Sequence, residues 1–366
     1  MNKKEIHTIV LTGGPCAGKS TALSKIEKLL TNLGFNVLLV NETATELILN
    51  GLTIKRFGLV YFQKVLTEYL LQKENTYFES AKLLNGKTVI ICDRGAMDAK
   101  AYVGEKIFKS IIKNLHLTET ELMNRYDAVI HLTTAADGAE EFYSNKNNSA
   151  RYESIEEAKL IDKEILKAWT GHNKLRIISN NGTFEDKINA VLETVCSIIG
   201  VPKPMEIERK FLIVKPDFNY IISNYDAKHY KIVQDYLISE NNIERRVRKI
   251  FKPDGCNYYY TEKRNISDIK RFEVERKISE KEYLTYLEFK DPNFKTIEKE
   301  RFYFVYKNQY FELDNYSFMP DTAILELEMA NENQTAIIPE FIDVLKEVTF
   351  NPKYKNYNLA KINKKH

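Results

Sequence analysis

Residues 6–20 read IHTIVLTGGPCAGKS, and this stretch decides the fold of the first half of the chain. The apolar run 6–12 has the length and β-branched content of a buried strand, and a helical pattern takes over at 19–31. Between them, Gly13-Gly14-Pro15-Cys16-Ala17-Gly18-Lys19-Ser20 fits G-x-x-x-x-G-K-[ST] in its required strand–loop–helix setting. Small residues let the loop's backbone N–H groups turn inward around phosphate oxygens, and the helix that follows points its positive end at them. Lys19 is expected to reach the β- and γ-phosphates, and the Ser20 hydroxyl to ligate Mg²⁺ or Mn²⁺, with Thr21 next in the same nucleotide-binding stretch.

Outward from the loop, further apolar runs lie at 34–40, 88–92, 128–132 and 175–179, with helical patterns at 59–84, 154–169 and 184–199. Apolar strands alternating with helices predict a parallel sheet covered by helices on both faces. GVPKP (200–204) breaks the pattern and reads as a linker, so the expected domains are 1–199 and 205–366. The chain has 366 residues, 43% of them hydrophobic, enough for two cores. Lys+Arg (54) nearly balances Asp+Glu (51), which excludes nucleic-acid binding by bulk charge. No apolar run approaches the roughly 18 residues of a membrane span. Cys16, Cys92, Cys196 and Cys256 are widely spaced, which fits reduced thiols in the cytoplasm better than disulfides or zinc.

Asp93 ends the run TVIIC, where an acid can hold the nucleotide's divalent ion, and Arg94 follows it. Glu42, just past the second strand, lies at the ligand-binding carboxyl edge, where it could orient an acceptor or act as base. Arg151, in SNKNNSARYES, suits a lid arginine as well as a plain surface loop. NKLR around Lys174 is not the guanine-reading NKxD pattern, so ATP and GTP stay open. With GGPCAGKST, the Glu42 segment, YFQKVL with Gln63, ICDRGAMD and YDAVIHLTTAADGAEEFY, residues 6–199 resemble the P-loop kinase-like ATPases related to the nicotinamide-riboside-kinase part of the NadR proteins.

The second half carries a different signal. In a strand, residues i, i+2 and i+4 share a face. Such faces hold Glu206, Glu208 and Lys210; Arg246 and Arg248; Thr261 and Lys263; Glu273 and Glu275; Lys299 and Arg301; Glu312 and Asp314; Glu326 and Glu328. The opposite faces are largely apolar, from Ile207 and Phe211 to Leu325 and Leu327. The helix expected at 338–347 cannot cover so large a sheet, so a closed antiparallel barrel with a charged lumen is predicted. Arg and Lys there suit phosphate oxygens, and paired Glu residues suit a hard divalent cation. The pattern ExExK (206–210), followed by RVR, TxK, ExE, KxR, ELD and LELE, resembles the CYTH, or triphosphate tunnel metalloenzyme, superfamily over about 205–360. The resemblance implies an eight-stranded α+β tunnel that binds a triphosphate with metal. Catalysis would rest on Glu206, Glu208 and Lys210, with Glu42 in the first domain. Metal ligands would be Glu206, Glu208, Glu328, Glu326 and Asp314, and phosphate ligands Lys210, Arg246, Arg248, Lys263, Lys299 and Arg301.

The whole chain resembles the family of the fly TRPL translocation defect protein, which implies GTP binding, phosphoinositide-headgroup binding and peripheral contact with membranes. Three functions follow as expectations. They are a metal-dependent phosphohydrolase or NTPase acting on phosphoanhydrides, a GTP- and phosphoinositide-binding regulator with little turnover, and a P-loop kinase of a nucleoside or other small molecule.

Overall fold

The computed structural model describes residues 5–143, 154–201, 208–239, 243–265, 271–329 and 335–361. Arg151 and Glu206, two of the expected site residues, lie outside them. The chain divides into two compact units, Met1–Val195 and Cys196–His366.

In unit 1 the strands are β1 (Ile6–Thr12), β2 (Asn36–Val40), β3 (Thr88–Asp93), β4 (Ala128–Leu132) and β5 (Leu175–Ile178). The helices are α1 (Lys19–Asn32), α2 (Thr43–Leu49), α3 (Ile54–Phe57), α4 (Leu59–Ala81), α5 (Asp98–Asn114), α6 (Glu119–Met123), α7 (Ile155–Trp169) and α8 (Phe184–Ile199). All five strands are parallel, in the order β2-β3-β1-β4-β5. β3 and β4 are buried along their whole length. Successive side chains point to opposite faces, so both faces of the sheet are covered. Leu11 pairs with Asp93 and Thr12 with His131. That register brings the loop after β1, the end of β3 and the end of β4 to one carboxyl edge, on either side of the strand where the chain order reverses.

Unit 2 is one antiparallel sheet of nine strands. They are β6 (Glu208–Val214), β7 (Lys228–Leu237), β8 (Ile243–Lys252), β9 (Gly255–Asn265), β10 (Arg271–Ile278), β11 (Ile297–Tyr306), β12 (Gln309–Tyr316), β13 (Thr322–Glu328) and β14 (Val344–Glu347). Helices α9 (Phe218–Tyr225), α10 (Glu280–Leu287) and α11 (Asn356–Ala360) complete it. The order is β10-β9-β8-β7-β11-β12-β13-β6-β14. The seven expected charged-face segments all form strands among the described residues, and β7 joins them. The expected helix at 338–347 does not form: β14 occupies Val344–Glu347 and pairs with β6. The open edge of β6 offers hydrogen bonds, Val214 N to Asp343 O and Val348 N to Lys210 O among them. Those outweigh the weak intrinsic helicity of a ten-residue segment.

The sheet has two unlike faces. Phe211, Phe302, Phe304, Phe311, Leu313, Leu325 and Leu327 form an apolar cluster with Ile221 of α9 and with Ile342. Val247, Tyr258 and Ile278 do the same with Tyr283 of α10. The alternate positions carry the charges, and these are enclosed: Lys210, Arg246, Lys299, Arg301, Asp314 and Glu326 are all buried. The sheet curls: Tyr236 on β7 and Leu212 on β6 join one buried cluster although four ladders separate their strands. On the same inner face, Leu212, Tyr236, Ile297, Tyr316 and Ile324 pack with Phe294, Tyr357 and Ala360. The charged belt therefore ends on an apolar floor, pinned by Tyr316 Oη to Asn356 Oδ1 (2.6 Å) and Lys295 N to Ala360 O (2.8 Å).

Candidate functional site

The phosphate loop folds as its glycines require. Gly13 sits at φ 137° and Gly18 at φ 89°, in the left-handed region that only glycine enters cheaply. A Cβ on Gly13 would lie 2.0 Å from Leu132 O. Three contacts hold the loop from the segment after β4 and from α7. Gly14 N donates to Asp162 Oδ1 (2.6 Å), Thr134 Oγ1 bonds Pro15 O, and Ala135 N donates to Cys16 O (3.4 Å). Lys19, buried, turns back on the loop and donates to Gly13 O (2.9 Å) and Gly14 O (3.0 Å). Burial, with Arg94 nearby, pulls its ammonium down to about 8. Ser20 and Thr21 are exposed at the start of α1.

A cavity of about 520 Å³ opens beside the loop, lined by Pro15 to Thr21, Glu42, Asp93, Arg94 and residues of α2, α4 and α5. Arg94 takes φ 71°, an uncommon conformation for a residue with a Cβ. Its guanidinium donates to Glu42 Oε1 (2.6 Å) and Gly13 O (3.3 Å), and lies 3.5 Å from Asp98 Oδ2. Burial would raise the Glu42 carboxyl, but Arg94 and the Thr45 hydroxyl bring it down to about 2. A carboxylate held there is a weak base, which favours the orienting one of its two expected roles. Asp93 is the opposite case. Burial pushes its carboxyl up against the pull of Lys19, and its buried Oδ1 has no hydrogen-bond partner among the described residues. Thr43 Oγ1 and Gln63 Oε1 share that condition and line the same cavity.

An orphaned carboxylate oxygen and a loop hydroxyl that line one cavity are the donor chemistry a hard cation takes, so Asp93 and Ser20 fit Mg²⁺ or Mn²⁺. When bound, such an ion neutralises charge on the terminal phosphates.

In unit 2, Arg301 is the hub. Its Nε donates to Asp314 Oδ1 (2.6 Å) and its Nη2 to Glu326 Oε2 (2.7 Å), while Nη1 bonds Glu312. Lys299 bonds Asp314, and Lys210 pairs with Glu326 (2.6 Å) and Glu208 (3.5 Å). Burial alone would raise Glu326, but Lys210, Arg301 and Lys299 hold it far below the ordinary carboxylate value. Across the belt, Arg248 bonds Glu275, which also accepts from Thr261 Oγ1 (3.1 Å), and Arg246 lies 4.0 Å from Glu244. Among the described residues no group of three or more His, Cys, Asp or Glu side chains stands ready for a metal. Glu312, Asp314 and Glu326 are turned onto Arg301, because a buried carboxylate without a partner is too costly. In this arrangement Asp314 and Glu326 both accept from Arg301.

Sequence reasoning missed Asp162, Asp98 and Lys187. Asp162 lies 148 positions from Gly14 and reads locally as a solvated acid of an amphipathic helix. Asp98 accepts from Thr12 Oγ1 (2.7 Å) and Trp169 Nε1 (2.6 Å), partners from two distant segments. No local signal marks either.

No curated protein sequence matches the chain. Among solved structures, the inorganic triphosphatase NE1496 is similar over 42% of this chain and 93% of its own, with 28% identity and a TM-score of 0.30. The PH1012 protein of Pyrococcus horikoshii OT3 is similar over 35% of this chain and 80% of its own, at 24% identity and a TM-score of 0.27. No helix among the described residues is long and apolar enough to cross a membrane. Residues 8–187 match the family model of an AAA domain, so the amino-terminal part of the chain is a nucleotide-binding domain of the P-loop type.

Proposed function

We propose that this chain handles phosphoanhydrides at two sites. Unit 1 binds a nucleoside triphosphate, ATP or GTP, on Gly13 to Thr21, with the divalent ion at Ser20 and Asp93. Unit 2 takes a triphosphate-bearing ligand into its charged belt and hydrolyses it. The observation that carries the second part is the convergence of Lys210, Lys299 and Arg301 on one enclosed face, each held by carboxylates. An entering phosphate competes with Glu326 and Asp314 for those cations, so binding exchanges one buried ion pair for another rather than desolvating a bare charge.

The test is phosphate release from tripolyphosphate, ATP and GTP with Mg²⁺, Mn²⁺ or EDTA. Release that survives Lys19→Ala and is lost in Lys210→Gln assigns turnover to unit 2. Release lost only in Lys19→Ala assigns it to unit 1. Binding of inositol phosphates or phosphoinositide vesicles without release supports the regulatory reading implied by the TRPL translocation defect resemblance. Absence of both release and tripolyphosphate binding overturns the proposal for unit 2.

A second reading of unit 1 has its own support. Thr43 Oγ1, Gln63 Oε1 and Asp93 Oδ1 are three buried polar atoms without partners among the described residues, and all line one cavity at the phosphate loop. Such a cavity suits a small hydroxylated acceptor, and a kinase would transfer phosphate to it. Transfer abolished by both Lys19→Ala and Gln63→Leu would favour this reading over simple hydrolysis.

A further inference from the structure

We infer that Phe184 is the platform on which the nucleobase stacks, which makes unit 1 a reader of nucleotides rather than of inorganic polyphosphate. The inference rests on nucleotide binding at the phosphate loop. Phosphates held by residues 13–20 leave the nucleoside two directions along the carboxyl edge of the sheet. One is the flank of β3, where Glu42, Asp93 and Arg94 crowd the cavity with charge. The other is the flank of β5, where α8 begins with Phe184.

That ring is 49% exposed although it belongs to a large apolar side chain. It also lies against the loop itself: a Cβ built on Gly18 would stand 2.8 Å from Phe184 Cε2. Gly18 is thus the glycine at the turn into α1 and, at the same time, the floor under the ring. The segment carrying Phe184 is braced. Thr183 N and Oγ1 donate to Asp186 Oδ2 at 2.8 and 2.6 Å. Asn180 Nδ2 donates to Thr134 O and Asp137 O, both at 2.7 Å. The buried Lys187 ammonium donates to Asn180 Oδ1 (2.7 Å) and Thr133 O (2.6 Å). An accessible aromatic face on a rigid mount, one residue's width from the phosphate loop, is what a heteroaromatic base stacks on, and stacking tolerates either purine.

The test is calorimetric titration of the full chain with ATP, GTP and tripolyphosphate, counting as loop binding only the part that Lys19→Ala removes. Phe184→Ala is expected to weaken both nucleotides roughly tenfold or more, to leave loop-bound tripolyphosphate within about twofold, and to keep the wild-type thermal midpoint. Phe184→Tyr should restore nucleotide affinity. Equal weakening of nucleotides and tripolyphosphate would assign Phe184 a purely structural role on Gly18 and overturn the inference. So would Lys19-dependent nucleotide binding that is indifferent to Phe184→Ala, leaving nucleotide binding intact. Absence of any Lys19-dependent binding in the wild type removes nucleotide binding and this inference together.

Discussion

The backbone N–H of Gly14 donates to the carboxylate of Asp162, at 2.6 Å and away from solvent. The same oxygen lies 3.2 Å from Nε2 of His131, which is fully buried on β4. One helix, α7, therefore grips the phosphate loop through Asp162. Two turns later it grips the start of α5 through Trp169, whose indole N–H reaches Asp98.

Removing the acceptor should loosen the loop. A hydrogen bond to a charged group is worth about 1.5–3 kcal/mol, so Asp162→Ala is expected to weaken ATP binding by about tenfold or more. Asp162→Asn keeps an oxygen for Gly14 and should retain most of the affinity. Titration calorimetry on the two variants checks this, and equal losses would show that the negative charge matters rather than the hydrogen bond.

Gly95 is the counterpart at the other end of α7. A Cβ there would lie 2.7 Å from Trp169 Cζ2 and 2.9 Å from Val10 Cγ2. Overpacking of this kind costs about 1–3 kcal/mol. Gly95→Ala should lower the thermal midpoint of unit 1. It should also alter the emission of Trp169, the chain's single tryptophan. An unchanged spectrum would mean that the helix slides freely.

Arg301 is surrounded by Glu312, Asp314 and Glu326. Arg301→Met leaves those carboxylates short of a counter-charge inside the sheet. Breaking a buried pair from one side costs about 3–5 kcal/mol, so the unfolding transition of unit 2 in calorimetry should fall steeply. A transition that does not move would show the belt to be well hydrated.

Lys299 makes stability depend on pH. Burial, then the nearby Arg301, lowers its ammonium from 10.5 to about 7, against the attraction of Asp314. The folded value lies below the unfolded one, so between them the unfolded chain binds more protons. Stability therefore rises with pH across that window, by at most about 1.4 kcal/mol per pH unit for one proton. Denaturation of wild type and Lys299→Met from pH 7 to about 9 should give a flatter profile for the variant. Parallel profiles would mean that Lys299 keeps its charge throughout.

The parts legible in the sequence were local. GGPCAGKS declares its loop because the required glycines, lysine and hydroxyl stand within eight residues, and Gly13 and Gly18 take the positive φ that such a loop needs. The strands from β6 to β13 were legible because alternation is a two-residue period. Asp162, Asp98 and Lys187 were not, since each acts only on a partner far away in the chain.

Composition and spacing thus determined that one half presents a phosphate loop and that the other alternates charge with hydrocarbon. Only tertiary structure decided the rest. It made 344–347 a ninth strand, because the edge of β6 had hydrogen bonds to give. It put Leu212, Ile297 and Ile324 under the charged belt as a floor. And it turned Asp314 and Glu326 onto Arg301, because a carboxylate taken out of water must find a cation, and the register of β11 on β12 sets Asp314 directly opposite Arg301 with Glu326 on the next strand.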